Sequence, residues 1–243
     1  MSVESVPNTS ALAKVWAALE CHGYTLTNEV EIGLPSAFHK NFQQAYFDER
    51  TLRHDPGDMP PDRQRARDVI RYWWRDGVLG LKEYDTITIT DRAEISGERN
   101  HARVELLGDR QVEDLVTRFL NLVPPDRRQS DGTFGVNLFR TFTDVVTKPH
   151  HDDEEYIILY VLDRIGLGAE TYLYKPDDVN GEGEPLAEPV LRHQLNPGEI
   201  IIFNDKCFKH GATPLEAAAG GSARRDVLVC TVDYWQTYLG KIA

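Results

Sequence analysis

The sequence predicts a mainly β domain with flanking helices, of the sandwich or jelly-roll kind, and three observations carry this. Helical periodicity is confined to the first half of the chain. From about residue 133 onward, short apolar runs follow one another at turn-marked intervals. The connections between those runs, "LGAE", "PDDVNGEGE" and "LNPGE", are rich in turn-forming residues. The chain reads as one domain over residues 1–243, with a helix-rich support over 1–132 and a jelly-roll core over 133–243.

Each element has its own signal. "ALAKVWAALECHG" places Leu12, Val15, Trp16 and Leu19 at helical spacing and stops at Gly23, so an amphipathic helix opens the domain. "PSAFHKNFQQAYFDER" puts Phe38, Phe42, Ala45 and Tyr46 on one helical face, with Pro35 and Ser36 as start signals. "DPGDMPPD" is a turn-rich connector, and "YDTITITDR" alternates as a strand does. "DRQVEDLVTRFLNLVPPD" is a third helix, with Val112, Leu115, Val116, Phe119 and Leu120 inward and Pro124 and Pro125 ending it. These stripes are read as core packing. The strands are "FGVNLFRTF", "YIILYVLDR", "AETYLYK", "PVLRHQL", "EIIIFND" and "DVLVCTVDYW", with "EAAAGGSARR" as the connection before the last.

Composition narrows the function. With 243 residues, 41% hydrophobic and 27% charged, the chain can bury a sizeable core. A formal charge of -12 repels phosphate backbones and anionic lipid, so nucleic acid and membrane are excluded as expected partners and a small-molecule substrate is favoured. Cys21, Cys207 and Cys230 are odd in number and widely spaced, which fits a reducing cytoplasm and no disulfide framework. No stretch approaches the roughly 18 to 20 apolar residues that span a bilayer, and no signal-peptide pattern opens the sequence. Oligomeric state leaves no trace in it.

The chemistry concentrates in "TKPHHDDEEYIILYV", residues 147–161. A mononuclear non-haem iron site needs two imidazoles and one carboxylate on one face. Ligands one residue apart suit a strand or its edge, where side chains i and i+2 point the same way. This segment offers that pair twice, as His150 with Asp152 and as His151 with Asp153, and spacing alone does not choose between them. "FNDKCFKHGATPL" supplies a third ligand, His210, followed by Gly211 where the chain can turn tightly. Arg225 opens "RDVLVCTV", where a guanidinium can clamp a carboxylate through two hydrogen bonds. Arg224 competes for that role, and strand parity puts the two arginines on opposite faces. Arg140 in "VNLFRTF" is either a substrate-carboxylate anchor or a salt-bridge arginine. Trp73 and Trp74 either wall the pocket or pack in the core, and Glu170 and Thr171 sit on a turn near the site.

The ordered set of H-x-D, a β-run, "GAET", "PGEIIIFND", a distal "HG" and "RRDVLV" resembles the iron(II)- and 2-oxoglutarate-dependent dioxygenases. It is most similar to their bacterial branch of free amino acid hydroxylases, which includes isoleucine 4-hydroxylase; the likeness covers roughly residues 133–236. The resemblance implies a double-stranded β-helix. Aligning the apolar strand at Tyr156 implies His150 and Asp152, with His210, as the Fe(II) ligands, and Arg225 as the partner of the distal carboxylate of 2-oxoglutarate. It also implies O2 as oxidant, help from ascorbate in vitro, and hydroxylation of an unactivated C–H bond in a small free amino acid or related carboxylic acid, with release of succinate and CO2. Retention of Asp152 implies hydroxylation rather than halogenation. The alternatives are a non-catalytic jelly-roll binding protein and a dioxygenase acting on a protein side chain.

Overall fold

A computed structural model describes residues 9–54, 63–83, 104–142, 147–152, 154–219 and 221–234. Three helices form where the 3.6-residue period is strongest: α1 (Thr9–His22), α2 (Phe38–Tyr46) and α3 (Arg110–Leu122). In α1, Leu12, Val15 and Leu19 are buried, and the Trp16 indole N–H donates to the Asn121 carbonyl (3.0 Å), tying α1 to the end of α3. Gly23, at φ 77°, stops α1 in the left-handed conformation that a glycine adopts without strain. All five apolar positions expected inside α3 are buried, and Asp109 caps its start by accepting from the Gln111 N–H (2.8 Å).

Helix α2 departs from its pattern at both ends. It starts at Phe38, and its N-cap Ala37 has no capping side chain. Glu29 supplies the missing acceptor from outside the helix: its carboxylate accepts from the Ala37 N–H (2.7 Å), the His39 N–H (3.0 Å) and the Tyr160 hydroxyl (2.6 Å). The expected inward Ala45 is exposed, because the helix ends one residue later and Phe47, beyond it, turns into the core. Burial by itself would raise the Glu29 pKa, but the hydrogen bonds from Tyr160 and His39 carry it net below its ordinary value of 4.5. A depressed carboxyl stabilises the fold above its unfolded-state pKa and loses that contribution as pH falls through its folded-state value. The stability gap between wild type and Glu29→Gln, measured by urea unfolding, is therefore expected to be full above pH 4.5 and to narrow on acidification below it. Parallel pH curves for the two proteins would overturn this.

The strands in chain order are β1 (Tyr24–Asn28), β2 (Arg53–His54), β3 (Gln64–Arg75), β4 (Val78–Glu83), β5 (Asp131–Thr141), β6 (Thr147–His150) and β7 (Glu154–Ile165). They continue with β8 (Leu167–Gly168), β9 (Thr171–Tyr174), β10 (Leu191–His193), β11 (Glu199–Asn204), β12 (Lys209–Ala212), β13 (Leu215–Glu216) and β14 (Arg224–Tyr234). A large antiparallel sheet runs β1-β11-β7-β14-β5-β3-β2, with β4 hairpinned onto β3; a four-stranded sheet runs β10-β9-β12-β6.

The central strands of the large sheet are buried on both faces, which is why "YIILYVL" reads as a continuous apolar run. Ile158, Tyr160 and Leu162 face the helices with Leu228 and Cys230. Ile157, Leu159 and Val161 face the smaller sheet with Phe203, Leu173 and Val227. The result is a jelly-roll sandwich with helices braced against its outer face. The segment expected to be a helical support also contributes β1 to β4 to the large sheet. The expected strand "YDTITITDR" and connector "DPGDMPPD" lie outside the described residues. Among the described residues no helix is long and apolar enough to cross a membrane.

Candidate metal centre

Pairing of β12 with β6 sets His210 directly opposite His150, with ring centroids 4.5 Å apart. Asp152 lies two residues beyond the end of β6 and completes a cluster whose candidate ligand atoms lie within 4.8 Å of one another. Its carboxylate oxygens stand 3.3 Å from His150 Nε2 and 3.7 Å from His210 Nε2. His150 Nδ1 is 2.8 Å from the Lys148 carbonyl. A carbonyl only accepts, so that nitrogen carries the proton and Nε2 is left with its lone pair toward the cluster. Two imidazoles and a carboxylate converging from one side are the donor set of a non-haem Fe(II) facial triad, so the side chains present fit the metal.

Asp205, which the sequence reading passed over, organises this cluster from behind. It is fully buried just past β11. One carboxylate oxygen accepts from the backbone N–H groups of Asp152 (2.9 Å) and Glu154 (3.3 Å), and the other faces His210 Nδ1 at 3.5 Å. Its backbone carbonyl accepts from His151 Nδ1 (2.6 Å), which turns His151 away from the cluster. Asp153, the other member of the alternative pair, lies outside the described residues. Buried Glu154 sits beside these groups; burial first, and the Asp152 charge after it, push its carboxyl well above the ordinary range, with Arg67 opposing. His150 is moved upward on balance, since burial lowers it while Asp152 raises it more strongly in sum with its other partners.

The arginines separate by face. Arg225 shares parity with Val227, on the side facing the small sheet, and its Nη2 reaches Thr171 Oγ1 on β9 at 3.5 Å. Leu173 of β9 is the register partner of His210, so Thr171 marks a point two residues, roughly 7 Å, along the strand from the metal cluster. Arg224 points to the other face, paired with Asp163. Arg140 is not brought to the site. It lies on the helix-packed face, where Nε and Nη2 each donate to Asp226 at 2.7 Å, so the expected substrate anchor is a buried ion pair. Its neighbour Phe139 points inward. Trp74 packs against the outer core, and Trp73 covers Gly80 on the β3–β4 hairpin. Glu170 is paired with Arg192.

A protein-family model described as 2OG-Fe dioxygenase matches residues 82–231, more than half of the chain. The chain belongs to the 2OG-Fe dioxygenase family. Membership makes the enzyme an oxidoreductase that uses Fe(II), 2-oxoglutarate and O2. No curated protein matches this dioxygenase in sequence. Solved structures share its fold. A bsmA homolog from Methylobium petroleophilum PM1 has a TM-score of 0.74 at 18% identity, covering 96% of the dioxygenase and 97% of that chain. IDO from Bacillus thuringiensis has a TM-score of 0.69 at 19% identity, covering 96% and 99%. A prolyl-4-hydroxylase from Pseudomonas putida has a TM-score of 0.51 at 13% identity, covering 92% and 99%.

Proposed function

We propose that the dioxygenase hydroxylates an unactivated C–H bond of a small free amino acid or related carboxylic acid, with His150, Asp152 and His210 holding Fe(II) and Arg225 holding the distal carboxylate of 2-oxoglutarate. The observation that carries the metal assignment is the convergence of three side chains from β6, its exit and β12 within 4.8 Å. When bound, Fe(II) supplies the reduction of O2 by 2-oxoglutarate, one oxygen atom going to succinate and the other to the substrate, with CO2 released.

The chain's own residues position and enclose. Asp205 fixes the backbone at Asp152 and stands behind His210, with a carboxylate oxygen 3.5 Å from the outer ring nitrogen. Phe203, 5.1 Å from the His210 ring, and Leu173 close the site to water from within the sandwich.

An acidic substrate is supported by what lines the inner face beyond the metal. Register places Arg65 beside Phe139 and Arg67 beside Asn137, on the face that Arg140 turns away from. Gly135, on the same face, makes room for Thr231, whose Oγ1 would lie 2.4 Å from a Cβ there, while Arg67 Nη2 lies at an ordinary contact distance of 3.9 Å. Positive charge on that wall, shared in part with the buried Glu154, favours a carboxylate. A cytoplasmic setting is supported by the free thiols of Cys21, Cys207 and Cys230.

The test is succinate formation from 2-oxoglutarate with Fe(II), ascorbate and O2 against pools of free amino acids, followed by mass spectrometry. The expected result is substrate-dependent succinate with a product one oxygen atom heavier. Stimulation by peptide or protein pools and by no free acid would overturn the substrate class.

A further inference from the structure

The interior of the sandwich carries a second guanidinium beside Arg225. Arg164, near the end of β7, is the direct register partner of Arg225 on β14, so both side chains leave the sheet on the same face. The acids around them do not serve this pair. Asp163 and Asp226, the adjacent partners in the same ladder, project to the opposite face, where Arg224 and Arg140 engage them. Among the described residues no carboxylate is paired with Arg164 or Arg225. The Nε atoms of both are out of contact with solvent and have no hydrogen-bond partner.

Two like charges facing one another inside a fold are destabilising, and buried guanidinium donors without acceptors add to that cost. Burial, and then the charge of Arg164, pull the Arg225 pKa down to about 10. An arrangement this unfavourable in isolation becomes favourable when an anion lies between the two cations, with several N–H donors converging on its oxygens.

Resting on the proposed role of Arg225, we infer that Arg164 is a second binding residue for 2-oxoglutarate, and that the two guanidinium groups together cradle its distal carboxylate. The Thr171 hydroxyl, already in contact with Arg225, closes the cradle from the small sheet. The cost of the pair in the empty protein is the consequence of a site shaped for an anion that arrives with the cosubstrate.

The test is titration calorimetry of the Mn(II)-loaded protein with 2-oxoglutarate and with 2-oxobutanoate, which has the same keto-acid end and no distal carboxylate. Arg164→Gln is expected to weaken 2-oxoglutarate binding roughly 10- to 100-fold, the loss typical of a charged hydrogen-bond partner, and to leave 2-oxobutanoate within about twofold because that ligand never reaches the cradle. Arg164→Lys, which keeps the charge and loses the planar donor pair, is expected to fall between. In the absence of ligand, Arg164→Gln is expected to melt no lower than wild type, since it removes a repulsion. If Arg225→Gln weakens 2-oxoglutarate and Arg164→Gln does not, the inference about Arg164 fails and the role of Arg225 stands. If neither change weakens it, both fail. Equal weakening of both ligands by Arg164→Gln would also overturn the inference, because it would reflect damage to the pocket as a whole.

Discussion

Asp152→Ala is expected to lower both Fe(II) affinity and substrate-coupled succinate formation by more than roughly 100-fold, since even loss of an outer hydrogen-bond partner of a metal ligand costs about 10- to 100-fold. The carboxylate stands within 4 Å of both imidazoles, at 3.3 Å and 3.7 Å, and its removal leaves two neutral donors with no charge to oppose a dication. His151→Ala is the informative companion. His151 stands next to both proposed ligands in sequence, but its Nδ1 is committed to the Asp205 carbonyl at 2.6 Å, so it is expected to leave metal binding close to wild type. Metal titration followed by the electron paramagnetic resonance of Mn(II) separates binding from turnover. Loss of metal in His151→Ala with retention in Asp152→Ala would reverse the pairing of the ligands.

How much of this could be read in the chain differs from residue to residue for physical reasons. Helices α1 and α3 were legible because their apolar residues recur at helical spacing against one core. The separation of Arg225 from Arg224 was legible because β parity holds along β14 from Arg225 through Val227, where its pairing with β5 runs without a register shift. Strand β3 was not, since "QRARDVIRYWWR" places Arg65 and Arg67 on the inner face, where a pattern reader expects apolar side chains. Asp205 gave only a faint signal, a polar residue closing the apolar run "EIIIFN"; its partners Asp152 and Glu154 are distant in sequence and meet it only when β11 pairs with β7. Sheet order was equally hidden: β14, the last strand, sits between β5 and β7, and no local pattern encodes that neighbour choice.

Arg140 shows the limit most clearly and yields a sharp expectation. In "VNLFRTF" apolar residues fall on both faces, so parity alone could not say whether the arginine looks toward the site or toward the helices. The structure commits it to Asp226, whose carboxylate is 0% exposed and also accepts from Gln43 Nε2 at 3.0 Å. The hydrogen bond with Asp226 comes first in holding the Arg140 pKa above its ordinary value. Arg140→Met strands a buried carboxylate, a change that typically costs about 3–5 kcal/mol. Gln43 and the more distant Arg224, 3.8 Å away, place the expectation at the lower end. Denaturant unfolding is expected to show that loss, whereas KM for 2-oxoglutarate and for substrate stays within about twofold in the folded fraction, because the side chain lies on the face away from the metal. Adding Asp226→Leu to Arg140→Met removes the stranded charge and is expected to recover most of the stability, as replacement of a whole buried ion pair by apolar groups often does. A large rise in substrate KM with unchanged unfolding would return Arg140 to the substrate, and with it the requirement that the sheet open on its helical side.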